Sequence, residues 1–103
     1  MEISKMLTVS TAHISKETAG LLIKVCDYSK ESELIIYPKR FEKEYYGWFI
    51  FVSEELVIDD AYKNTPKDLM RCLLLALKME CNWLCLDCDG EVLDDTYLDV
   101  YEW

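Results

Sequence analysis

The chain has 103 residues, 51% of them hydrophobic, and a formal charge of −9. That length makes one domain, residues 1–103, with no second core, and the apolar content excludes a disordered chain. No run of about 18 apolar residues occurs, which excludes a spanning helix. Excess acid disfavours direct binding to nucleic acid or an anionic membrane, because both need Lys/Arg to displace counterions.

The first residues, MEISKMLTVS, lack a basic stretch followed by an apolar one. No signal peptide is expected, and the expected location is the cytoplasm of a bacterial host. Thiols stay reduced there, so the five cysteines are read as unpaired.

Residues 6–14, MLTVSTAHI, predict a first strand. Ser15 is placed to cap a helix in which Ala19, Leu22, Ile23 and Cys26 recur at helical spacing. Leu21 and Val25 widen that stripe, and Lys16, Lys24 and Asp27 are expected outside. The helix is expected to end in the polar stretch from Ser29 to Ser32. Residues 33–37, ELIIY, predict a second strand that ends or becomes an edge at Pro38. A charged hairpin loop is expected over 39–45. The apolar run 46–52, YGWFIFV, predicts a strand at the sheet centre, with Gly47 marking a bulge or a close approach.

Residues 53–64 read as an acidic connector with an apolar insert, Leu56 to Ile58. Thr65 as N-cap, Pro66 at the first position and Asp68 in a capping-box-like pattern predict a second helix. Leu69, Cys72, Leu73, Ala76 and Leu77 form its buried face, widened by Met70 and Leu74. Lys67, Arg71 and Lys78 mark its wet side, and Asn82 is expected to end it in the left-handed conformation. Residues 83–88, WLCLDC, predict a fourth strand. Asp89-Gly90 reads as a two-residue hairpin turn into a last strand drawing on Val92, Leu93, Leu98, Val100 and Tyr101. The order β-α-β-β-α-β(β) implies an α+β two-layer sandwich, a mainly antiparallel sheet with two helices on one face.

Cys81, Cys85 and Cys88 resemble in spacing one kind of three-cysteine cluster ligation. Two observations oppose a metal site. Cys85 and Cys88 fall on opposite faces of a strand, and zinc wants a fourth ligand that no nearby residue supplies. Buried thiols are the expected outcome, and no cofactor or metal is expected. Asp87, Asp89, Gly90 and Glu91 hint at a hard-cation loop but do not match an EF-hand. The one histidine, His13, has no nucleophile or carboxylate at a catalytic spacing, so packing or capping is its expected role. There is no Gly-rich phosphate loop and no nucleophile elbow, and catalysis is the weakest reading.

Charge is the remaining signal. Residues 1–53 hold seven Lys/Arg against seven Asp/Glu, whereas residues 80–103 hold eight acids and no Lys/Arg. A basic protein surface is the natural complement of that last quarter. The expected contact residues are Asp87, Asp89, Glu91, Asp94, Asp95 and Asp99, with Tyr97, Tyr101 and Trp103 as anchors. Glu54, Glu55, Asp59 and Asp60 form a second acidic patch. The opposing readings are plain solubility and an edge strand whose acids block edge pairing.

The stretches STAHISKETAGLL and WLCLDCDG resemble an uncharacterised domain family of small bacterial, phage and mobile-element proteins. That resemblance implies no catalytic residue. It implies a context, in which small proteins modulate host machinery. The expected function is therefore a non-enzymatic acidic inhibitor of the anti-CRISPR or anti-restriction type. It would occupy the groove of a basic nucleic-acid-handling host protein, such as a CRISPR effector or a restriction nuclease. The alternatives are a small metal-binding or redox protein using the C-terminal cysteines, and an accessory domain that assembles with itself, as a homodimer, or with a cognate partner through YGWFIFV.

Overall fold

A computed structural model describes residues 1, 3–27, 34–58, 62 and 64–103. In chain order it contains β1 (Met6–Ser10), a 3-10 turn (Thr11–His13), α1 (Lys16–Asp27), β2 (Ile36–Phe41), β3 (Glu44–Phe51), α2 (Glu54–Ile58), α3 (Lys67–Lys78) and β4 (Trp83–Asp87). The four strands form one sheet in the order β1-β4-β3-β2. β4 runs parallel to β1 and antiparallel to β3, and β3 pairs antiparallel with β2. The architecture is the expected α+β sandwich.

Strand alternation divides the sheet into two faces. Val9, Trp48, Ile50, Leu84 and Leu86 turn inward and join Ala19 and Leu22 of α1 and Leu69, Cys72, Leu73 and Ala76 of α3. Leu22, Leu69, Leu73, Leu84 and Leu86 are fully buried. Each such side chain contributes roughly 1.5–3 kcal/mol of transfer free energy. The expected helical stripes are therefore confirmed, with one exception. Leu74 is exposed, because only the faces carrying Leu69, Leu73 and Ala76 meet the sheet.

The helix starts show how side chains replace missing backbone partners. Ser15 Oγ accepts from the Thr18 amide and caps α1. Asp68 does not close a capping box on its own helix, and the residue before α3 is Pro66, with no side-chain cap. Instead the buried Asp68 carboxylate crosses to α1. Its Oδ2 accepts from the Ser15 amide at 2.7 Å and its Oδ1 from the Thr18 hydroxyl at 2.9 Å. One acid on α3 thus takes the backbone amide that precedes α1 and a hydroxyl of its first turn, and ties the two helices together.

Other boundaries differ from expectation. β1 stops at Ser10, whose hydroxyl accepts from the Ala12 amide and starts the 3-10 turn. β2 continues through Pro38 to Phe41, which is possible because β2 is the sheet edge. The hairpin turn is then only Glu42–Lys43, with Glu42 in the left-handed region. Apolar Leu56 and Val57 close a short helix, α2, within the expected connector. Glu80, not Asn82, takes the left-handed conformation after α3, while Asn82 bonds back to Lys5. The expected end of α1 between Ser29 and Ser32 lies outside the described residues.

Gly47 combines both expected features. Lys39 pairs with Gly47 and Arg40 with Tyr45, so Tyr46 is an extra residue on β3 and forms a bulge. A Cβ at Gly47 would stand 1.7 Å from the Leu86 carbonyl oxygen of β4. Only glycine allows β3 and β4 to close at this point. The bulged Tyr46 carbonyl then accepts from the Cys88 amide and carries the pairing past the end of β4.

Candidate functional site

The last residues do not form a strand. Asp87 starts a tight turn in which its Oδ1 accepts from the Asp89 amide and its carbonyl from the Gly90 amide. Gly90 passes so close to β1 that a Cβ would lie 2.7 Å from the Val9 carbonyl. The chain then leaves the sheet as an irregular tail over residues 91–103. The alternating acids and aromatics resemble a strand pattern, but β1 already occupies the flank of β4 where a hairpin partner would pair.

A tail without secondary structure must satisfy its polar backbone some other way. The Glu91 carbonyl accepts from the Ser10 amide, and the Tyr101 amide donates to the Ala12 carbonyl. Between these points stands His13, buried to 1% exposure. Its Nε2 accepts from the Leu93 amide at 2.8 Å, and its Nδ1 lies 2.7 Å from the Asp99 carbonyl oxygen. A carbonyl can only accept and an amide can only donate. The ring is therefore neutral, with its proton on Nδ1. Leu98, buried to 2%, joins the hydrophobic core, and the Trp103 indole N–H donates to the Ile14 carbonyl. His13 thus packs as expected, but its partner is the tail. Both ring nitrogens are taken by backbone groups.

The turn and the tail present acids in two states. Asp87 pairs with Lys39 and Asp99 with Arg71. The Lys39 ammonium, together with the Asp89 amide, holds the Asp87 carboxyl below the usual carboxylate range. Asp89, Glu91, Asp94, Asp95 and Glu102 are exposed and enter no ion pair among the described residues. The Thr96 amide and hydroxyl, with help from Asp95, hold Asp94 below the usual carboxylate range. Tyr97 is 67% exposed, Tyr101 is half-buried, and Trp103 is exposed at 60% although its indole nitrogen is bonded. Of the second expected patch, Glu54 and Glu55 are exposed in the first turn of α2, and Asp59 and Asp60 lie outside the described residues.

The cysteines do not gather. Cys81 and Cys85 are buried, Cys88 is exposed, and Cys72 lies in α3. Cys88 falls beyond β4 rather than in it. Burial pushes the Cys72 thiol up to about 12 and raises that of Cys85. Among the described residues one set of three ligand types lies close together, Asp87, Cys88 and Asp89 within 4.8 Å. Two of its members are exposed, and Asp87 already holds Lys39.

The outer face of the sheet was not anticipated. Both long helices lie on the inner face, which leaves Met6, Thr8, Ile35, Tyr37, Phe49, Phe51, Trp83 and Cys85 on the other. Trp83 meets Phe51 edge-on at 5.3 Å and Tyr37 at 6.2 Å. Met6, Ile35 and Tyr37 remain exposed. The apolar character of alternate positions in β3 and β4 was the available signal. No described helix is long and apolar enough to cross a membrane.

A family model described as "Family of unknown function (DUF5983) C-terminal domain" matches residues 6–103. No curated protein and no solved structure matches.

Replacing His13 by Ala removes two buried hydrogen bonds and leaves a cavity beneath the tail. The expected cost is about 2–4 kcal/mol, read as a lower urea midpoint. Amide exchange should quicken at Leu93 and Tyr101 but not in β4. An unchanged midpoint with protected tail amides would show that the tail does not depend on this ring.

Proposed function

The chain belongs to the DUF5983 C-terminal domain family, whose function is unknown, and we propose from its geometry that it is a non-enzymatic, acidic protein-binding domain. Its partner on this reading is a basic, nucleic-acid-handling protein. One observation carries the reading. Five exposed acids that enter no ion pair among the described residues stand together, Asp89 in the turn and Glu91, Asp94, Asp95 and Glu102 on a tail that bonds to the Ser10 and Ala12 backbone and the His13 ring hold in place. A held tail loses little entropy on docking, so its carboxylates meet Lys/Arg side chains without first being ordered. Tyr97 adds an exposed aromatic anchor beside them.

The finer form of the proposal is an inhibitor. The carboxylates stand in for a row of phosphates and occupy the groove of a CRISPR effector or a restriction nuclease in a bacterial cytosol. The absence of Lys/Arg from residues 80–103 supports this form, since no cation of the tail itself weakens the field. The non-enzymatic reading is supported by His13, whose two ring nitrogens are both committed to backbone groups.

The partly exposed outer face of the sheet favours a second reading, self-association. Among the described residues its charged pair, Lys39 with Asp87, is internally compensated, so two copies can bring these faces together without stacking like charges. β3 itself is paired on both sides, so any such contact uses the faces of Phe49 and Phe51 rather than a strand edge. Sedimentation at about 10–100 µM decides this. A dimer that Tyr37→Ser dissociates supports it, and a monomer throughout removes it.

For the main reading, the domain is immobilised and used to capture proteins from a bacterial lysate. The captured protein should be released by duplex DNA and by about 0.5 M salt. The variant Asp89→Asn/Glu91→Gln/Asp95→Asn should bind it at least about tenfold more weakly. These positions serve better than Asp99, which Arg71 already neutralises. Capture that survives both DNA and the triple variant would contradict the proposal.

A further inference from the structure

The two edges of the sheet are not alike. β2 forms one of them, and the Phe51 amide of β3 donates to the Ile35 carbonyl just before it. In an antiparallel ladder bonding recurs at every second residue, so Tyr37 bonds to β3 and the backbone groups of Ile36 and Pro38 face outward. Proline has no N–H to offer there, and Lys39 and Arg40 follow it. Both features deter a further strand. β1 forms the other edge and lacks these guards. Its residues, MLTVS, include no charge and no proline, and its register with β4 is unbroken.

The Lys5 carbonyl accepts from the Trp83 amide at 3.1 Å. In a parallel ladder the backbone of Lys5, Leu7 and Val9 therefore serves β4, and that of Met6 and Thr8 faces away. The Ser10 amide, next in the outward set, is taken by the Glu91 carbonyl of the tail. Met6 and Thr8 are exposed, and among the described residues no group bonds to their outward amides and carbonyls. Such an edge is a template for another strand. The charges at its two ends select which strand. Lys5 donates through its ammonium to the Met79 carbonyl, on the helix side of the sheet, and enters no ion pair among the described residues. Glu91, at the Ser10 end, is exposed and equally unpaired, and its tail continues onto the same side, where Leu93 packs against the core. An antiparallel strand that fits must bring a cation to Glu91 and an acid to Lys5. A second copy of β1 does both at once, because a two-fold axis at Leu7 sets each Lys5 beside the other copy's Glu91.

We propose that two copies of this chain pair through antiparallel β1 strands and join their sheets edge to edge. The outward amides and carbonyls of Met6 bond to those of Thr8 in the other copy, and each Lys5 pairs with the other copy's Glu91. The charge of −9 on each copy opposes association at long range, so the dimer forms at high concentration. This contact differs from the face-to-face one above, because Tyr37 lies at the opposite edge of the sheet. It is measured on the pure chain and does not depend on the acidic tail's partner.

The test follows the full 15N-labelled chain by sedimentation and amide exchange from about 10 µM to about 1 mM. The Leu7 and Val9 amides should be protected at every concentration, and those of Met6 and Thr8 only as the dimer forms. Thr8→Pro removes an outward donor and no bond to β4, and should weaken the dimer at least about tenfold. Lys5→Glu should weaken it about tenfold, and Lys5→Glu/Glu91→Lys should restore it. If Thr8→Pro does not fold, the charge reversal and its rescue decide alone. A monomer at about 1 mM would overturn the proposal. So would a dimer that a folded Thr8→Pro variant keeps, a reversal without rescue, or Met6 and Thr8 amides already protected in the monomer.

Discussion

One imidazole determines the shape of the last quarter of this chain. His13 is reached at the end of the 3-10 turn that follows β1, and it faces a tail eighty and more residues later in the sequence. Its ring offers one donor and one acceptor, and the tail offers one carbonyl and one amide in matching places. Without that match, the Leu93 amide and the Asp99 carbonyl would lose their partners. The stretch that carries Asp94 and Asp95 would then be anchored only by buried Leu98 and by the bonds of Glu91, Tyr101 and Trp103. The proposed binding role therefore depends on a neutral side chain that itself stays out of contact with any partner.

The sheet order makes the arrangement possible. β4 is short but central, so its five residues are paired on both sides and its inward Leu84 and Leu86 are fully buried. β1 holds the flank of β4, so the chain that leaves β4 has no free edge beside it. It turns at Asp87–Gly90 and crosses β1 where Gly90 allows close passage. Gly47 gives the matching closeness on the other side of β4. Two of the three glycines thus serve the two contacts that pin the central strand.

Much of this was legible in the residues. The helical spacing of Ala19, Leu22 and Ile23, and of Leu69, Cys72, Leu73 and Ala76, gave both long helices and their buried faces. Pro38 correctly marked an edge strand, and Gly47 a bulge with a close approach. What failed was long-range. Asp68 reads locally as part of a capping box, yet it caps a different helix fifty residues away. Asp89-Gly90 reads locally as a hairpin, and the turn does form, but the edge that a hairpin strand would need is taken by β1. Of the candidate contact residues, Asp87 and Asp99 are neutralised by Lys39 and Arg71, partners that spacing along the chain does not reveal. His13 carried no sequence signal of its role, because its partners are backbone groups and any residue type supplies those.

The protonation state of His13 tests this account most directly. The nitrogen chemical shifts of its ring, recorded on 15N-labelled protein near neutral pH, distinguish the two neutral tautomers and the charged ring. The account predicts a neutral ring protonated on Nδ1, with Nε2 coupled across a hydrogen bond to the Leu93 amide. A ring protonated on Nε2, or one exchanging between tautomers as in a free peptide, would show that the tail is not held by His13.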